Sequence, residues 1–590
     1  MSEPVAPFLV FFLGAALVPL LKGKGRKGLL LLVPVLGFLN LVHLGEGLHW
    51  SLDYFGYTLV LVRVDRLSLI FGYIFHLIAF LGFLYSLHVD DLLELGAAMA
   101  YAGCALGVVF AGDLLSLFVF WELLSVASAF IIWARRTRAS LAAGFRYLLV
   151  HVAGGLMLMA GIVLQVSETG SGEFGFIGLQ GPASLLIFLG MGVNCAWPGI
   201  HAWLTDAYPE ASVTGTVFLS AFTTKAAVYA LARGFPGTPA LIWIGAAMTA
   251  FPIFYAVIEN DLRRVLSYSL INQVGFMVCG IGIGTPLALN GAVSHAFNDI
   301  LFKALLFMSM GAVLHRTGRI NATDLGGLYR TMPLTCIFCM VGAASISAFP
   351  FFSGFVSKSM VMEAAALGDM RVIWFILLFA SAGVFHHAGI KIPYFAFFSH
   401  DSGLRPKEAP LHMLLAMGVT AGLCVFIGSA PGFLYSLLPY PVDYVPYTQG
   451  HVLSQSQLLF YSSLAFTLLI LSGIYPAEIR AANLDADWFY RKGAKALYRG
   501  LGRLLPRLEA LELKLMVNGA AAGLSRLSQD GPARLALLFL FPLWKLKGVK
   551  REDLAHAAAE VRRAMATGAL PVGLGAAMAI LFLYLLFLFG

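Results

Sequence analysis

Several ionisable residues lie inside long apolar stretches of the sequence, where a charge is costly. Among them are Glu122, Arg146, Lys225, Lys303, Lys358 and Lys391. A charged side chain in the hydrocarbon layer of a membrane costs at least about 2.5 kcal/mol, so it normally faces a bundle interior or a water-filled path. Arg146 and Lys391 lie near the ends of their stretches and could extend to the surface, whereas the other three lysines lie deeper. Each residue could instead form a structural ion pair, but several in one chain favour proton or ion translocation.

His295, Asp299 and Lys303 repeat at intervals of four residues within one apolar stretch. On a helix this spacing puts the three side chains on one face over about 12 Å. Groups of different proton affinity in a row suit a proton relay, because neighbouring charges couple their titrations. The alternative is that Asp299 and Lys303 only neutralise each other. His295 extends the row beyond what neutralisation needs, and it therefore favours the relay.

Lys225 and Lys358 end two similar stretches, S-A-F-T-T-K at 220–225 and S-G-F-V-S-K at 353–358. A proline precedes each stretch, and Pro350 lies close to the second. A lysine beside a helix break is a suitable proton site, because the broken backbone admits water and burial disfavours the charged amine. The two lysines are four or five predicted spans apart. A five-span unit would give the two halves inverted topology, as in many transporters.

His386 and His387 precede Lys391 in one apolar stretch and are candidates for an exit path. A histidine pair near a helix end can also be purely structural. Cys336 and Cys339 form a C-x-x-C without histidine or carboxylate neighbours, and small helix-packing residues are the better explanation for them. We therefore predict no cofactor, no metal site and no nucleotide-binding site.

The composition identifies the class of fold that must position these residues. The chain has 590 residues, 59% hydrophobic and 12% charged, against roughly 25% charged residues in soluble domains. Uncharged runs of about 20 residues recur along it, long enough to cross a membrane. A soluble enzyme, a secreted disulfide-rich scaffold and a nucleic-acid-binding module are excluded. The net charge of +8 is contained in residues 480–563, a basic amphipathic segment that we expect in the cytoplasm beside anionic lipid.

Hydropathy predicts an all-α polytopic membrane protein with about 16 transmembrane helices. The predicted spans are 4–21, 28–46, 67–88, 93–112, 114–133, 142–165, 184–203, 212–232, 238–258, 265–283, 287–314, 333–366, 372–398, 411–435, 456–477 and 570–589. The span 333–366 contains Pro350 and Gly354, and it is predicted to be broken there. With the N-terminus outside, most basic loop residues face the cytoplasm, as the positive-inside rule requires.

Five stretches of the sequence, in order, resemble a known family. They are F-V-F-W-E-L-L-S at 118–125, H-A-W-L-T-D-A-Y-P-E-A at 201–211, D-L-R-R-V-L-S-Y-S-L-I-N-Q-V-G at 261–275, H-A-F-N-D-I-L-F-K-A-L-L-F at 295–307 and F-P-F-F-S-G-F-V-S-K at 349–358. The set is similar to the proton-antiporter-like large subunits shared by respiratory complex I, Mrp-type cation/proton antiporters and membrane-bound hydrogenases. The resemblance covers roughly residues 90–430.

This resemblance implies a fold of two inverted five-helix repeats, each with a broken helix, and two half-channels joined by a polar axis. Glu122 matches the family's glutamate, and Lys225 matches its partner lysine on the first broken helix. Lys303 and His295 match the linking helix, and Lys358 matches the second broken helix.

The sequence departs from the family pattern at two places. Asp299 stands where many members have a second histidine, and the span 238–258 has no ionisable residue. A continuous proton axis across both halves is therefore in doubt. In the tail, N-L-D-A-D-W-F-Y-R-K at 483–492 resembles Mrp D-type subunits, whereas the span 570–589 resembles the last helix of the longest complex I member.

The chain is predicted to divide into six regions. They are N-terminal spans at 1–90, a first antiporter repeat at 91–235, a second repeat at 236–400, C-terminal spans at 401–480, a basic amphipathic cytoplasmic or lateral segment at 481–569 and a last transmembrane helix at 570–590. We expect a proton-translocating member of a multisubunit Mrp-type, D-like cation/proton antiporter in the inner membrane. Its expected partners are small membrane subunits, a second antiporter-like subunit, lipid, protons and, as an open question, Na⁺, but no nucleic acid.

In this interpretation Lys225 is the central proton-binding amine and Glu122 modulates its proton affinity. Protons pass by His295, Asp299 and Lys303 towards Lys358. The first alternative is a pumping subunit of a redox complex, of the NADH:quinone oxidoreductase or hydrogenase type. The second is a structural subunit with a closed channel.

Overall fold

The computed structural model describes residues 5–54, 56–476, 478–481, 483–566 and 572–589. The chain forms two compact units, Met1–Asp487 and Trp488–Gly590. Most of the described residues are helical, as the composition predicts. The first unit contains all of the predicted translocation residues.

The N-terminal region holds three helices and a β-hairpin. These are α1 (Pro7–Leu17), α2 (Gly23–Val42), β1 (Gly47–Tyr54), β2 (Tyr57–Val64) and α3 (Arg66–Tyr85). The antiparallel hairpin corrects the all-α expectation for these residues. The Y-T-L-V-L-V-R-V stretch of β2 alternates β-branched and other residues, which favours a strand, but a hydropathy window does not detect this pattern.

The next region contains the first broken helix. Its helices are α4 (Leu92–Phe110), α5 (Leu114–Trp133), α6 (Arg138–Thr169), α7 (Pro182–Asn194), α8 (Ala202–Ala207), α9 (Gly215–Ala221) and α10 (Thr223–Gly234). Helices α9 and α10 meet at Phe222, whose ψ of −64° departs from regular helix. There the backbone N–H of Thr223 donates to the Tyr101 hydroxyl at 3.0 Å, so a side chain takes over one of the hydrogen bonds that the break frees.

The following region contains the second helix break. Its helices are α11 (Pro239–Ile258), α12 (Leu262–Ile283), α13 (Pro286–Thr317), α14 (Pro333–Ile346), α15 (Ser353–Leu367) and α16 (Arg371–Val384), with short 3₁₀ turns at Ala322–Asp324 and Leu328–Arg330. The chain leaves helix between α14 and α15, where Pro350 and Gly354 predict a break. After α16 it continues as π-helix over Phe385–Lys391 and Tyr394–Phe398.

Three further helices complete the first unit before the chain enters α20. They are α17 (Leu411–Ser429), α18 (Pro431–Tyr435) and α19 (Gln449–Leu471). The remaining helices are α20 (Asp487–Glu512), α21 (Ala522–Leu546), α22 (Arg551–Met565) and α23 (Val572–Phe589), with π-helix over Leu513–Ala521. Basic residues recur every four positions along α20 from Arg491 to Arg507, as the expected basic amphipathic segment requires.

Twelve of the described helical stretches are long and apolar enough to cross a membrane, counting α9 with α10 and α16 with its π-helical continuation as one stretch each. Helices α1, α7 and α14 are shorter apolar helices. The chain is therefore a multi-pass membrane protein. A helix overlaps each predicted span, but the number 16, the inverted repeats and the six-region division stay predictions. Helices α10, α12 and α13 are the buried centre of the first unit, and every residue of α10 is buried.

Candidate functional site

Lys225 lies one turn after the first helix break and forms a buried ion pair with Asp299 of α13. The Lys225 Nζ is 2.6 Å from the Asp299 Oδ2, and both side chains are 0% exposed. The same Nζ donates to the carbonyl oxygen of Ser220 at 2.9 Å. Ser220 lies in the last turn of α9, where backbone carbonyls lack intrahelical partners and the helix dipole is negative. A carboxylate and a helix end thus both stabilise the charged amine.

This geometry corrects the alternative in which Asp299 and Lys303 only neutralise each other. The ion pair of Asp299 is with Lys225 on another helix. The Lys303 Nζ instead donates to the Ser269 hydroxyl of α12 at 2.8 Å. Asp299 is therefore the counter-charge of Lys225.

His295 is held by side chains from two neighbouring helices. Its Nε2 lies 3.1 Å from the Gln273 Oε1 of α12, and its Nδ1 lies 3.0 Å from the Ser357 hydroxyl of α15. An amide oxygen only accepts, so Nε2 donates to Gln273 and Nδ1 of the neutral ring accepts from Ser357. Ser357 directly precedes Lys358 in the chain. The structure thereby brings His295 next to the second broken helix.

A chain of neutral amides continues from His295 towards α11. The Gln273 Nε2 donates to the Asn272 Oδ1 at 2.6 Å, and the Asn272 Nδ2 donates to the carbonyl oxygen of Thr249. Thr249 lies in the predicted span 238–258, which has no ionisable residue. Polar contacts therefore reach this span without a charged group, and the sequence analysis missed Gln273 and Ser269 as members of the site.

Lys358 repeats the arrangement of Lys225 at the second break. Its Nζ donates at 2.9 Å to the carbonyl oxygen of Ile346, the last residue of α14. It also lies 5.1 Å from the centre of the Phe276 ring, a distance typical of a cation–π contact. Each lysine therefore reaches back to a carbonyl at the end of the preceding half-helix.

Glu122 of α5 does not form the expected pair with Lys225. Among the described residues Glu122 makes no ion pair, and its buried Oε1 accepts no hydrogen bond. This oxygen packs so closely over α6 that a Cβ on Gly155 would overlap it. Asp299 occupies the ion-pair position beside Lys225. A longer-range influence of Glu122 stays a prediction.

The predicted exit residues lie on the π-helical continuation of α16. His387 and Lys391 are buried, and His386 lies against the rings of Phe466 and Tyr475. Arg146, the other charged residue near a span end, forms a two-pronged pair with Asp206 at 2.7 and 2.9 Å. This pair gives Arg146 a structural role.

Lys391 has a partner that the sequence analysis did not single out. Its Nζ is 2.8 Å from the Glu478 Oε1, and it donates to the carbonyl oxygens of Val257 and Glu259 at the end of α11. Glu478 lies in the polar stretch after α19, far from Lys391 in sequence. Neither spacing nor hydropathy could connect the two residues.

A multi-spanning bundle whose broken helices place lysines in its interior is an arrangement typical of ion-translocating membrane proteins. Residues 111–385 match the family model described as "NADH:quinone oxidoreductase/Mrp antiporter, TM". This part of the chain is thus similar to that family, in agreement with the resemblance seen in the sequence motifs.

Curated relatives come from two kinds of complex. Hydrogenase-4 component B of Escherichia coli K12 is 28% identical over 424 residues, which cover 63% of this chain and 63% of the relative. The A-type Na⁺/H⁺ antiporter subunit of Alkalihalophilus pseudofirmus is 28% identical over 427 residues, covering 63% of this chain and 53% of the relative. The chain thus spans less than two thirds of either relative.

Three solved structures share the fold. The Mrp complex of Dietzia sp. DQ12-45-1b matches with a TM-score of 0.76 and 24% identity, over 88% of this chain and 62% of that chain. The membrane-bound sulfane sulfur reductase, an archaeal respiratory complex, gives 0.70 and 24%, over 91% and 99%. Respiratory complex I of Thermus thermophilus gives 0.62 and 22%, over 72% and 98%.

Proposed function

We propose that this chain is a proton-translocating subunit of a multisubunit cation/proton antiporter of the Mrp type. The observation that carries the proposal is the fully buried Lys225–Asp299 ion pair beside a helix break. Burying two charges is costly unless their geometry and hydrogen-bond partners are excellent. Ionisable groups inside membrane spans typically mark ion and proton pathways. The A-type antiporter relatives favour the Mrp type, and the D-like assignment rests on residues 483–492 alone.

Asp299 can couple the protonation of two lysines. It contacts Lys225 across the helix interface, and it lies one helical turn before Lys303 on its own helix. One carboxylate can neutralise only one ammonium group at a time. When Lys225 releases its proton, Asp299 becomes available to stabilise a proton on Lys303, so charge moves from the first half towards the second.

From Lys303 the proposed path has two continuations. His295 and Ser357 lead towards Lys358 at the second break. The π-helical His387 and Lys391 lead towards the end of the bundle that we expect in the cytoplasm. Glu122 would adjust the proton affinity of the first half from a distance, since it makes no ion pair with Lys225.

We place the chain in the inner membrane of the cell. In the proposed orientation the N-terminus lies outside and residues 480–563 lie in the cytoplasm. The ion pairs of Lys391 with Glu478 and of Arg480 with Asp324 support it. Both join chain segments that the topology assigns to the same side. The proposed partners are small membrane subunits and a second antiporter-like subunit.

A proton-pumping subunit of a redox complex is the second candidate. Its support is the match to the sulfane sulfur reductase chain, 99% of which is covered, together with the hydrogenase-4 relative. In that case electron transfer in other subunits would drive protons along the same lysines.

Purification and reconstitution of the complex distinguish the two candidates. The tagged chain is purified gently from native membranes, its partners are identified by mass spectrometry, and the complex is placed in vesicles with a pH-sensitive dye inside. An antiporter brings a second antiporter-like chain and moves protons when a Na⁺ or K⁺ gradient is imposed. Iron–sulfur partners, with proton movement only after a reductant is added, would contradict the antiporter proposal.

A further inference from the structure

A polar segment after α19 is fastened to the end of the bundle by four of its side chains. We call this segment, residues 474–476, 478–481 and 483–486, the strap. The contacts are Glu478 with Lys391 at 2.8 Å, Arg480 with Asp324 at 2.6 Å, Asn483 with Glu259 at 3.0 Å, and Asp485 with His201 at 3.0 Å and Tyr268 at 2.7 Å. The strap thus touches loops and helix ends of both halves.

The Glu478–Lys391 contact differs from the other three because it lies on the proposed proton path. Lys391 is 0% exposed and Glu478 is 7% exposed. Lys391 is four residues after His387 on the π-helical segment. The Lys391 Nζ contacts the carbonyl oxygens at the end of α11 and the strap carboxylate.

Glu478 also borders a cavity at the surface of the unit. The cavity has a volume of about 360 Å³ and is lined by residues that include Thr323, His400, Tyr475 and Glu478. The neighbouring Gly473 and Pro476, which also line it, are exposed. A volume of this size holds several water molecules. The Glu478 carboxylate is thus placed between a buried amine and a space that water can enter.

We infer that Glu478 carries protons at the mouth of the path, between Lys391 and the cavity. When a proton leaves the path, the Lys391 ammonium gives it to the Glu478 carboxylate. This step leaves a neutral amine and a carboxylic acid. The acid then gives the proton to water in the cavity and becomes a carboxylate again. The reverse steps load the path. This inference rests on the proposed proton-translocating function.

The surroundings of Glu478 suit such an exchange. Burial raises the pKa of the Glu478 carboxyl, while the ammonium of Lys391 opposes the rise and Glu259 adds to it. Tyr475 and His400 are the other titratable groups at the cavity. Protonation of the Glu478 carboxylate is therefore more favourable than protonation of a solvent-exposed glutamate.

The experiment compares two strap variants in the full reconstituted complex. Glu478→Gln keeps an oxygen beside Lys391 but cannot carry a proton, whereas Arg480→Gln removes a tether that lies off the path. We expect proton flux to fall at least tenfold in Glu478→Gln and to stay within twofold of wild type in Arg480→Gln. In Glu478→Ala, formate added on the cavity side should restore flux, because a small carboxylate can enter the cavity and take the missing role.

The outcomes separate this inference from the proposed function. Wild-type flux in Glu478→Gln overturns the inference. An equal loss of flux in Glu478→Gln and Arg480→Gln, without formate rescue of Glu478→Ala, also overturns it, because the strap would then be only a tether. Lys225→Ala is measured in parallel. Its failure to reduce flux would contradict the proposed function itself, whatever Glu478 does.

Discussion

At the scale of residues, the site depends on one carboxylate with two lysines within reach. Lys225 contacts Asp299 directly, and Lys303 lies one turn further along α13 and donates to Ser269. A buried ion pair contributes little net stability, but removing one member leaves an uncompensated charge and costs about 3–5 kcal/mol. The stability of the protein should therefore fall when one member of the pair is replaced, and should fall less when both members are replaced by neutral residues.

Asp299→Asn should lower the unfolding temperature of the detergent-purified protein and abolish proton flux, because it leaves the Lys225 amine without a counter-charge. The double variant Lys225→Met with Asp299→Asn should regain much of the lost stability, since no charge remains buried, but no flux. Thermal unfolding of the two single variants, the double variant and wild type forms a double-mutant cycle. If Asp299→Asn unfolds at the wild-type temperature, Asp299 does not stabilise the buried charge of Lys225.

The sequence could predict these residues but not their partners. Hydropathy and four-residue spacing identified Lys225, Asp299 and Lys303 as ionisable groups on buried helices. Whether Asp299 pairs along its helix or across to Lys225 depends on the distance between helices, which spacing does not contain. The same limit explains why Glu478 was missed as the partner of Lys391.

At the scale of elements, the two helix breaks supply the carbonyls that hold the lysines. The carbonyl oxygens of Ser220 and Ile346, in the last turns of α9 and α14, accept hydrogen bonds from Lys225 and Lys358. Proline and glycine in F-P-F-F-S-G predicted the second break. The β-hairpin and the π-helical turns around His387 were not predicted, because a long hydropathy window averages over both strand alternation and an extra residue per turn.

Gly354→Ala should disrupt the second break. A Cβ on Gly354 would overlap the carbonyl oxygen of Ser345, so the ends of α14 and α15 must separate and move the Ile346 carbonyl away from Lys358. We expect lower thermal stability and at least tenfold lower flux. Gly422→Ala is the matched control, because nothing lies within 4 Å of a Cβ there. If both variants behave like wild type, the tight break is not needed for function.

At the scale of the whole molecule, charge is divided between a buried path and a basic tail. Residues 480–563 contain 16 basic and 8 acidic residues, which accounts for the net charge of the chain. The rest is balanced, and two of its interior lysines, Lys225 and Lys391, form ion pairs with Asp299 and Glu478. This division suits a subunit that carries protons through its core and contacts lipid or other subunits through its tail.

The most direct test of the account is the proton flux of Lys225→Ala in vesicles that contain the assembled complex. Lys407→Ala, at an exposed loop position, is the control for a lost lysine charge. The account predicts that Lys225→Ala assembles normally but loses at least nine tenths of the flux, while Lys407→Ala keeps it. Wild-type flux in a normally assembled Lys225→Ala complex would contradict the claim that this buried amine carries the proton.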